Sequence, residues 1–191
     1  MKKLFLLLVA IAALAFSACT RDTNIDNSQE VSALDSFTTR SDAVEGYIPI
    51  ATVSQKGKIE LLFLQKDVQS AFIKENHDRQ LVFAEVRDDG KELGLLYRIY
   101  NKATKATATS ICYAVILKEG VYYAPSTSLL RKGSVMDSRT VTCKTTECSQ
   151  DPVGCIPKET TCTRCSNYRT CEKTVTSDIT DELTHIIRAI E

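Results

Sequence analysis

The sequence has no tryptophan, only two histidines, and only seven glycines and four prolines among its 191 residues. It also lacks an excess of either charge, because 24 basic residues balance 24 acidic ones. Without a surplus of Lys and Arg the chain has little to displace counterions from phosphates, so the composition argues against a general nucleic-acid binder. The glycines are scattered among turns, which disfavours an enzyme that binds a nucleotide through a glycine-rich loop.

Residues suited to catalysis are equally scarce. His77 and His185 both lie beside predicted helix positions, where a histidine is commonly a surface or capping residue. No serine occupies a Gly-x-Ser-x-Gly elbow. The carboxylate pair Asp88-Asp89 is explained by the tight two-residue hairpin turn that Asp89-Gly90 predicts. We therefore predict no catalytic residues, no metal site and no cofactor, and we predict that the protein is not an enzyme.

The chain begins with an export signal. Lys2 and Lys3 precede an unbroken apolar run over residues 4–16, and small residues follow it. This order is typical of a secretory signal peptide. The apolar run is too short to cross a bilayer, which takes about 20 residues. We predict a signal peptide over residues 1–18, whose removal leaves 22 basic against 24 acidic residues.

The last residues of this signal, Phe16-Ser17-Ala18-Cys19, resemble the lipobox of bacterial lipoproteins. That family usually has Leu or another aliphatic residue at the position of Phe16. The resemblance implies that Cys19 carries lipid on its sulfur and becomes the acylated first residue of the mature chain. Several acyl chains would hold the protein durably to a membrane. The implied location is the bacterial cell envelope, most simply the outer membrane, facing the periplasm or the surface. An ordinary signal peptide cut nearby is the alternative.

Residues 19–45 are predicted to form a flexible tether. In the eleven residues after the cysteine only Ile25 is large and apolar, which is too little to offset the entropy of ordering. Val31, Leu34 and Phe37 interrupt this polar composition. We interpret them as scattered tether residues, and the alternative is a short segment that docks on the domain.

The body of the chain predicts an α+β domain over residues 46–136. Apolar runs predict a hairpin around a turn at 55–57, followed by a short helix that Asp67 caps. Alternating apolar residues then predict an antiparallel meander, so the helix is expected to cover one face of a small antiparallel sheet. The predicted strands cover residues 47–54, 58–64, 81–86, 93–99, 111–117 and 121–123.

Residues 177–191 are predicted to form a C-terminal helix with Ser177 or Asp178 as its N-cap. Its apolar residues fall on one stripe, which is expected to pack back on the sheet. A helix that binds a partner is the alternative. The stripe consists of Ile179, Leu183, Ile186, Ile187 and Ile190.

Six of the eight cysteines fall in a segment that we place at residues 137–176. Between the first cysteine of the segment and Lys173, only Val153, Ile156 and Tyr168 are large and apolar, too few to build a core. In an exported protein the expected staples are three disulfides, and the sequence leaves their connectivity open. The candidates are Cys143, Cys148, Cys155, Cys162, Cys165 and Cys171.

Two questions about the cysteines have alternative answers. Cys162-x-x-Cys165 has the spacing of a metal-ligand or redox pair, but the segment lacks histidine and the export signal implies an oxidising environment. Cys112 lies in a predicted apolar strand, where we expect a buried free thiol that behaves as a small hydrophobe. The alternative is that Cys112 bridges to the segment and leaves another cysteine free.

The function is predicted only in outline. We expect a non-enzymatic binding or structural interaction module that acts through the cysteine-rich surface on a protein or glycan of the envelope, and not on nucleic acid. The mixed charges of that segment would not select a ligand of one sign. One alternative is a protease inhibitor that presents a stapled loop at residues 151–154. A metal or redox module is the other.

Overall fold

The computed structural model describes most of the chain from residue 44 onward. The predicted signal peptide, Cys19 and nearly all of the predicted tether lie outside the described residues, so these stay predictions. The described residues are 44–133, 135, 139–148, 151, 154–166, 170–177 and 180–191.

Eleven strands and three helices lie in the described residues. In chain order they are β1 (Tyr47–Val53), β2 (Ile59–Leu61), α1 (Gln65–Glu75), β3 (Arg79–Asp88), β4 (Leu93–Asn101), β5 (Thr107–Cys112), β6 (Ile116–Lys118), β7 (Val121–Pro125), α2 (Thr127–Arg131), β8 (Thr140–Thr145), β9 (Pro157–Lys158), β10 (Thr161–Cys162), β11 (Glu172–Thr176) and α3 (Asp181–Ile190).

Two hairpins that are distant in sequence form a four-stranded antiparallel sheet. The first hairpin joins β1 to β2, and the second joins β6 to β7. Pairing of β1 with β7 gives the strand order β2-β1-β7-β6. Gly57 in the first turn has a positive φ of 73°, a conformation that glycine adopts without steric cost.

The second large sheet has five antiparallel strands in the order β11-β8-β5-β4-β3. Strands β3, β4 and β5 follow one another as a meander. Strands β8 and β11 come from the cysteine-rich segment and extend the meander on its β5 side. Both ends of that segment are therefore built into the α+β domain. The short strands β9 and β10, which lie between β8 and β11 in the sequence, form a separate two-stranded ribbon.

Helix α1 closes the β3 edge of the five-stranded sheet. The side-chain amide of Gln65 donates to the carbonyl of Ala84, and its Oε1 accepts from the N–H of Ala84 at 3.1 Å. Gln69 Nε2 donates to the carbonyl of Val82 at 2.6 Å. The two glutamines occupy backbone groups that would otherwise be open to pairing with another chain.

The main core joins one face of each large sheet to the helices. Leu95, Tyr97 and Ile99 of β4 are buried in it, as their alternation predicts. Phe72 of α1 and Leu183 of α3 are each 1% exposed in the same cluster. The predicted α+β class, with an antiparallel sheet, a C-terminal helix and a disulfide-rich segment, is confirmed.

The other face of the five-stranded sheet carries a second, smaller apolar cluster. Leu96, Ile111 and Val141 are buried there, and Ile156 of the cysteine-rich segment packs against them. Strand β4 is consequently buried on both faces. Its nearly continuous apolar sequence is typical of such a strand. The cysteine-rich segment thus covers the face that the helices leave open.

The single strand predicted for residues 111–117 is wrong. Strand β5 ends at Cys112, and the chain then crosses to the other sheet, where β6 begins. Ile111 faces the smaller cluster, whereas Val115 lies in the main core. Alternating apolar residues indicate that side chains are buried, but the alternation does not show which sheet they pack against.

The start of α1 also differs from the prediction. The helix begins at Gln65, and Leu64 occupies the N-cap position without a side-chain hydrogen bond. Asp67 therefore lies in the first turn, where its negative charge is favourable to the helix dipole. Gln65, the first residue of the helix, makes its hydrogen bonds to β3 from this position.

The N-cap of α3 is Thr180, not Ser177. Its Oγ1 accepts from the N–H of Leu183 at 3.2 Å, and the hydroxyl of Tyr97 lies 3.1 Å from the same oxygen. A buried tyrosine hydroxyl needs a partner, and the capping oxygen of Thr180 supplies one for Tyr97. The other predicted cap, Asp178, and the stripe residue Ile179 lie outside the described residues.

The turn between β3 and β4 is a four-residue loop at 89–92 rather than a tight two-residue turn. The Oδ1 of Asp89 accepts from the N–H groups of Lys91 at 3.0 Å and of Glu92 at 2.8 Å. These backbone hydrogen bonds lower the pKa of Asp89. The Asp side chain thus supplies hydrogen bonds that a shorter turn would make within its backbone.

No helix among the described residues is long and apolar enough to span a membrane.

We expect Ile186→Ala to lower the free energy of unfolding by about 2–5 kcal/mol, because the side chain is fully buried and its removal leaves a cavity. Urea unfolding measures the change. Leu64→Ala is the control, since Leu64 is 60% exposed and its truncation should change stability by less than about 0.5 kcal/mol. Equal effects of the two substitutions would show that α3 does not pack in the core.

Candidate functional site: the disulfide-stapled face

Three disulfides in the described residues use all six cysteines of the segment. They join Cys143 to Cys162, Cys148 to Cys165 and Cys155 to Cys171. The predicted disulfides are thus present, and their connectivity is interlocked: the first cysteine pairs with the fourth, the second with the fifth and the third with the sixth. Each bridge spans 16 to 19 residues. In the chain-entropy account a loop of this size stabilises a fold by about 3 kcal/mol.

The disulfides form a cluster of their own beside the smaller apolar cluster. Cys143, Cys155 and Cys165 are at most 4% exposed, and the other three cysteines pack against them. The sulfurs therefore supply the buried surface that the scarce aliphatic residues of this segment do not.

A row of residues across the five-stranded sheet leads from its β3 edge to this cluster. Phe83, Arg98, Thr109 and Cys143 are successive cross-strand partners on β3, β4, β5 and β8. Residues paired in this way point to the same face. Arg98 is only 7% exposed, so the row places a buried cation beneath the stapled segment.

Arg98 holds the segment through hydrogen bonds to its backbone. The Nε group donates to Thr109 Oγ1 at 2.9 Å, and the guanidinium carbon lies 5.6 Å from the centre of the Phe83 ring. Nη1 donates to the carbonyl of Asp151 at 3.3 Å, and Nη2 reaches the carbonyl of Gly154 at 3.5 Å. Burial lowers the pKa of Arg98, and the nearby charge of Asp151 opposes that effect.

Asp151 fixes the same stretch of chain from the other side. Its Oδ1 accepts from the N–H of Gly154 at 3.0 Å, and its Oδ2 accepts from the N–H of Ser166 at 3.2 Å and from the Ser166 hydroxyl. A Cβ on residue 154 would lie 2.7 Å from Asp151 Oδ2, so any other residue there would have to displace this carboxylate. The ends of the loop at 151–154 are consequently fixed, while Pro152 and Val153 lie outside the described residues.

A second set of contacts fixes the β9–β10 ribbon. Arg87 Nη1 donates to the carbonyl of Pro157 at 2.7 Å. The hydroxyl of Tyr113 donates to Glu92 Oε1 at 2.8 Å and lies 2.9 Å from the carbonyl oxygen of Glu159. Burial, and next the hydrogen bond to Glu92, raise the pKa of Tyr113 to about 12. The ribbon is therefore held to the sheet by polar contacts to its backbone.

A cleft of about 290 Å³ lies beside this ribbon. Two lysines and three carboxylates line it, and none of the lining residues is a histidine, serine or cysteine. The cleft thus lacks a nucleophile paired with a base, and its mixed charges favour no ligand of one sign. The lining residues are Asp89, Lys91, Glu92, Lys158 and Glu159.

The exposed part of this face is polar. We call it the stapled surface and define it by the exposed residues of the ribbon and the chain that follows it. These are Lys158, Glu159, Thr160, Thr161, Arg164 and Ser166.

The sulfurs of Cys143, Cys162 and Cys171 lie within 4.8 Å of one another, as metal ligands would. In the structure all three belong to disulfides, and metals bind the thiolate. Cys162 and Cys165 are bonded to different partners rather than to each other. As bonded, the arrangement provides neither a thiolate ligand set nor a Cys-x-x-Cys disulfide.

Cys112 lies apart from this cluster. It has no disulfide partner in the structure and is 2% exposed in the main core. Burial raises the pKa of its thiol, which keeps it protonated and unreactive.

His185 of α3 contacts two residues of α1. Its Nδ1 is hydrogen-bonded to a carboxylate oxygen of Glu75, which also pairs with Arg188 at 3.0 Å. The ring meets Phe72 edge-on with 6.4 Å between centroids. The hydrogen bond from His185, and next that from Arg188, lower the pKa of Glu75 against the opposing effect of desolvation. This cluster joins α1 to α3.

The organising residues Arg98 and Asp151 were not identified from the sequence. A signal existed for Arg98, because a lone arginine in the nearly continuous apolar run of β4 is expected to be buried and paired. Asp151 is polar within a polar segment, and nothing local distinguishes it.

A comparison of this chain with models of protein families found no match. Neither curated proteins nor solved structures gave a match.

We expect Arg98→Met to lower the free energy of unfolding by about 1–3 kcal/mol, because it leaves the carbonyls of Asp151 and Gly154 without their charged donor. Proteolysis within residues 151–154 should also become faster. Arg164→Met is the control, since Arg164 is exposed. If Arg98→Met matches this control in urea unfolding and proteolysis, Arg98 does not hold the segment.

Proposed function

We propose that the protein is a lipid-anchored lipoprotein of the bacterial cell envelope and acts as a non-enzymatic binding or structural interaction module. Its contact surface is the stapled surface, and its partner is a protein or glycan of the envelope. The anchor is Cys19, which stands at the end of the lipobox-like sequence.

The observation that carries the binding role is how firmly the stapled surface is held. Three interlocked disulfides, the guanidinium of Arg98 and the carboxylate of Asp151 fix a segment that forms little regular structure. Loops that are already ordered lose little conformational entropy when they bind, so more of the contact energy appears as affinity.

The location rests on two independent features. Disulfides persist in oxidising compartments outside the cytoplasm, and the described residues contain three. The sequence begins with a signal-like run and places Cys19 directly after small residues. Together these support export followed by retention at a membrane.

A specific observation also favours a second candidate, a protease inhibitor that presents residues 151–154. Arg98 and Asp151 fix both ends of this loop, and Cys155 joins it to Cys171. A loop held at both ends resists the change of shape that cleavage requires.

We expect Cys19→Ser to abolish lipid labelling and to release the protein from the membrane fraction, because the acceptor sulfur is gone. Membrane fractionation after metabolic labelling with a fatty acid measures both effects. Cys112→Ala is the matched control, because it removes a cysteine that the structure buries in the core. A Cys19→Ser variant that still fractionates with membranes would refute the anchor.

We expect the double substitution Thr160→Arg and Arg164→Glu to reduce partner capture from an envelope extract by about tenfold or more, because it changes two exposed residues of the stapled surface. Quantitative mass spectrometry of cross-linked material measures capture. Lys56→Glu changes an exposed charge in the β1–β2 turn and is the control. Equal capture by both variants would exclude the stapled surface. A captured protease that is inhibited in equal stoichiometry would select the second candidate.

A further inference from the structure

The four-stranded sheet has an outer face that does not belong to the core. Tyr122 and Ala124 of β7 point inward and are buried, so Val121 and Tyr123 point outward. Cross-strand pairing places Ile116 and Pro49 in one row with Tyr123. Tyr47 lies two positions before Pro49 on β1 and shares the face. We call this set of residues the tyrosine face: Tyr47, Pro49, Ile116, Val121 and Tyr123.

Like Tyr100 of β4, the tyrosines of this face differ from the three tyrosines of the domain whose hydroxyls are hydrogen-bonded. The hydroxyls of Tyr97, Tyr113 and Tyr122 all have hydrogen-bond partners. Those of Tyr47 and Tyr123 have none among the described residues, and both rings are partly exposed. Such a side chain has an apolar body and a hydroxyl that is open to water.

Charge at this face does not select a partner of one sign. The row of cross-strand partners next to Tyr123 crosses all four strands of the sheet. It begins with Lys118 on the edge strand β6, passes through Val121 and Thr52, and ends with Glu60 on the other edge strand, β2. An apolar patch with tyrosines and balanced charge fits the boundary between headgroups and acyl chains, where tyrosine is enriched.

The place of this face in the chain, close to the proposed lipid anchor, favours the membrane as its binding partner. Tyr47 opens the first strand of the domain, 28 residues after Cys19. If the residues between them form the predicted flexible tether, their root-mean-square span is about 30 Å. With Cys19 in the bilayer, the domain would stay close to the lipid surface at an effective concentration of about millimolar, so a weak contact would be populated.

We propose that the tyrosine face docks on the lipid surface of the membrane that holds the anchor. This inference rests on the proposed lipid anchor at Cys19. Docking through this face would leave the stapled surface, which belongs to the other sheet, available for a partner.

The absence of tryptophan makes the test specific, since one substitution introduces the only tryptophan of the chain. The lipidated full-length mature protein with Tyr123→Trp is reconstituted into phosphatidylcholine vesicles, with or without bromine on the upper acyl chains. An interfacial ring lies about 5–10 Å deep, so we expect bromine to quench the emission by about half. Tyr100→Trp on β4 is the matched control and should be quenched little. Tyr47→Trp is a second reporter for the face, in case Tyr123→Trp disturbs folding.

The outcomes separate this inference from the anchor. If the protein floats with the vesicles but both reporters on the tyrosine face are quenched no more than the control, the docking is wrong and the anchor stands. If the protein does not float with vesicles, both proposals fail. If the reporters are shielded by a second copy, with unquenched emission and cross-linked dimers, the face is a protein interface and the docking is wrong.

Discussion

The disulfide between Cys143 and Cys162 is the constraint on which the rest of the stapled face depends. Cys143 is a residue of β8, which pairs with β5 on one side and β11 on the other. Its sulfur is also bonded to the β9–β10 ribbon through Cys162. One covalent bond therefore joins the middle of a sheet to a segment with few apolar side chains. The other two bridges and the contacts of Arg98 then fix the path of the chain around it.

This arrangement gives the five-stranded sheet two unlike sides. The helices cover one side with aliphatic and aromatic residues, and the stapled segment covers the other with sulfur, a few apolar side chains and hydrogen bonds. Burying the charge of Arg98 in that second layer is unfavourable. Hydrogen bonds to Thr109 and two carbonyls, together with the contact to the Phe83 ring, offset this cost. The functional proposals follow this division, since the stapled surface is rigid and polar while the tyrosine face is amphipathic.

Much of the fold could be predicted from local patterns. Alternation in β4 identified buried residues correctly, and so did the stripe of α3 at Leu183, Ile186 and Ile187, because the periods of strands and helices follow from backbone geometry. Decisions that depend on distant partners could not be predicted. Nothing near Val115 shows that it packs with the other sheet, and nothing near Thr180 shows that Tyr97 will contact it. The six cysteines were recognised as staples, but their pairing depends on how β8 and β11 enter the sheet. The position of Arg98 in an apolar strand predicts that it is buried and paired, but not that its partners are the carbonyls of Asp151 and Gly154.

The most direct test of this account is native-state hydrogen exchange, because the account holds that the stapled segment and the sheet are one cooperative unit. The N–H groups of Cys155 and Thr163 are hydrogen-bonded within the segment, and that of Val141 belongs to the sheet. As guanidinium approaches the unfolding midpoint, we expect their opening free energies to converge on one value with one denaturant slope. If the segment amides exchange through a separate opening at lower free energy while Val141 stays protected to the midpoint, the segment is an independent appendage and the account is wrong.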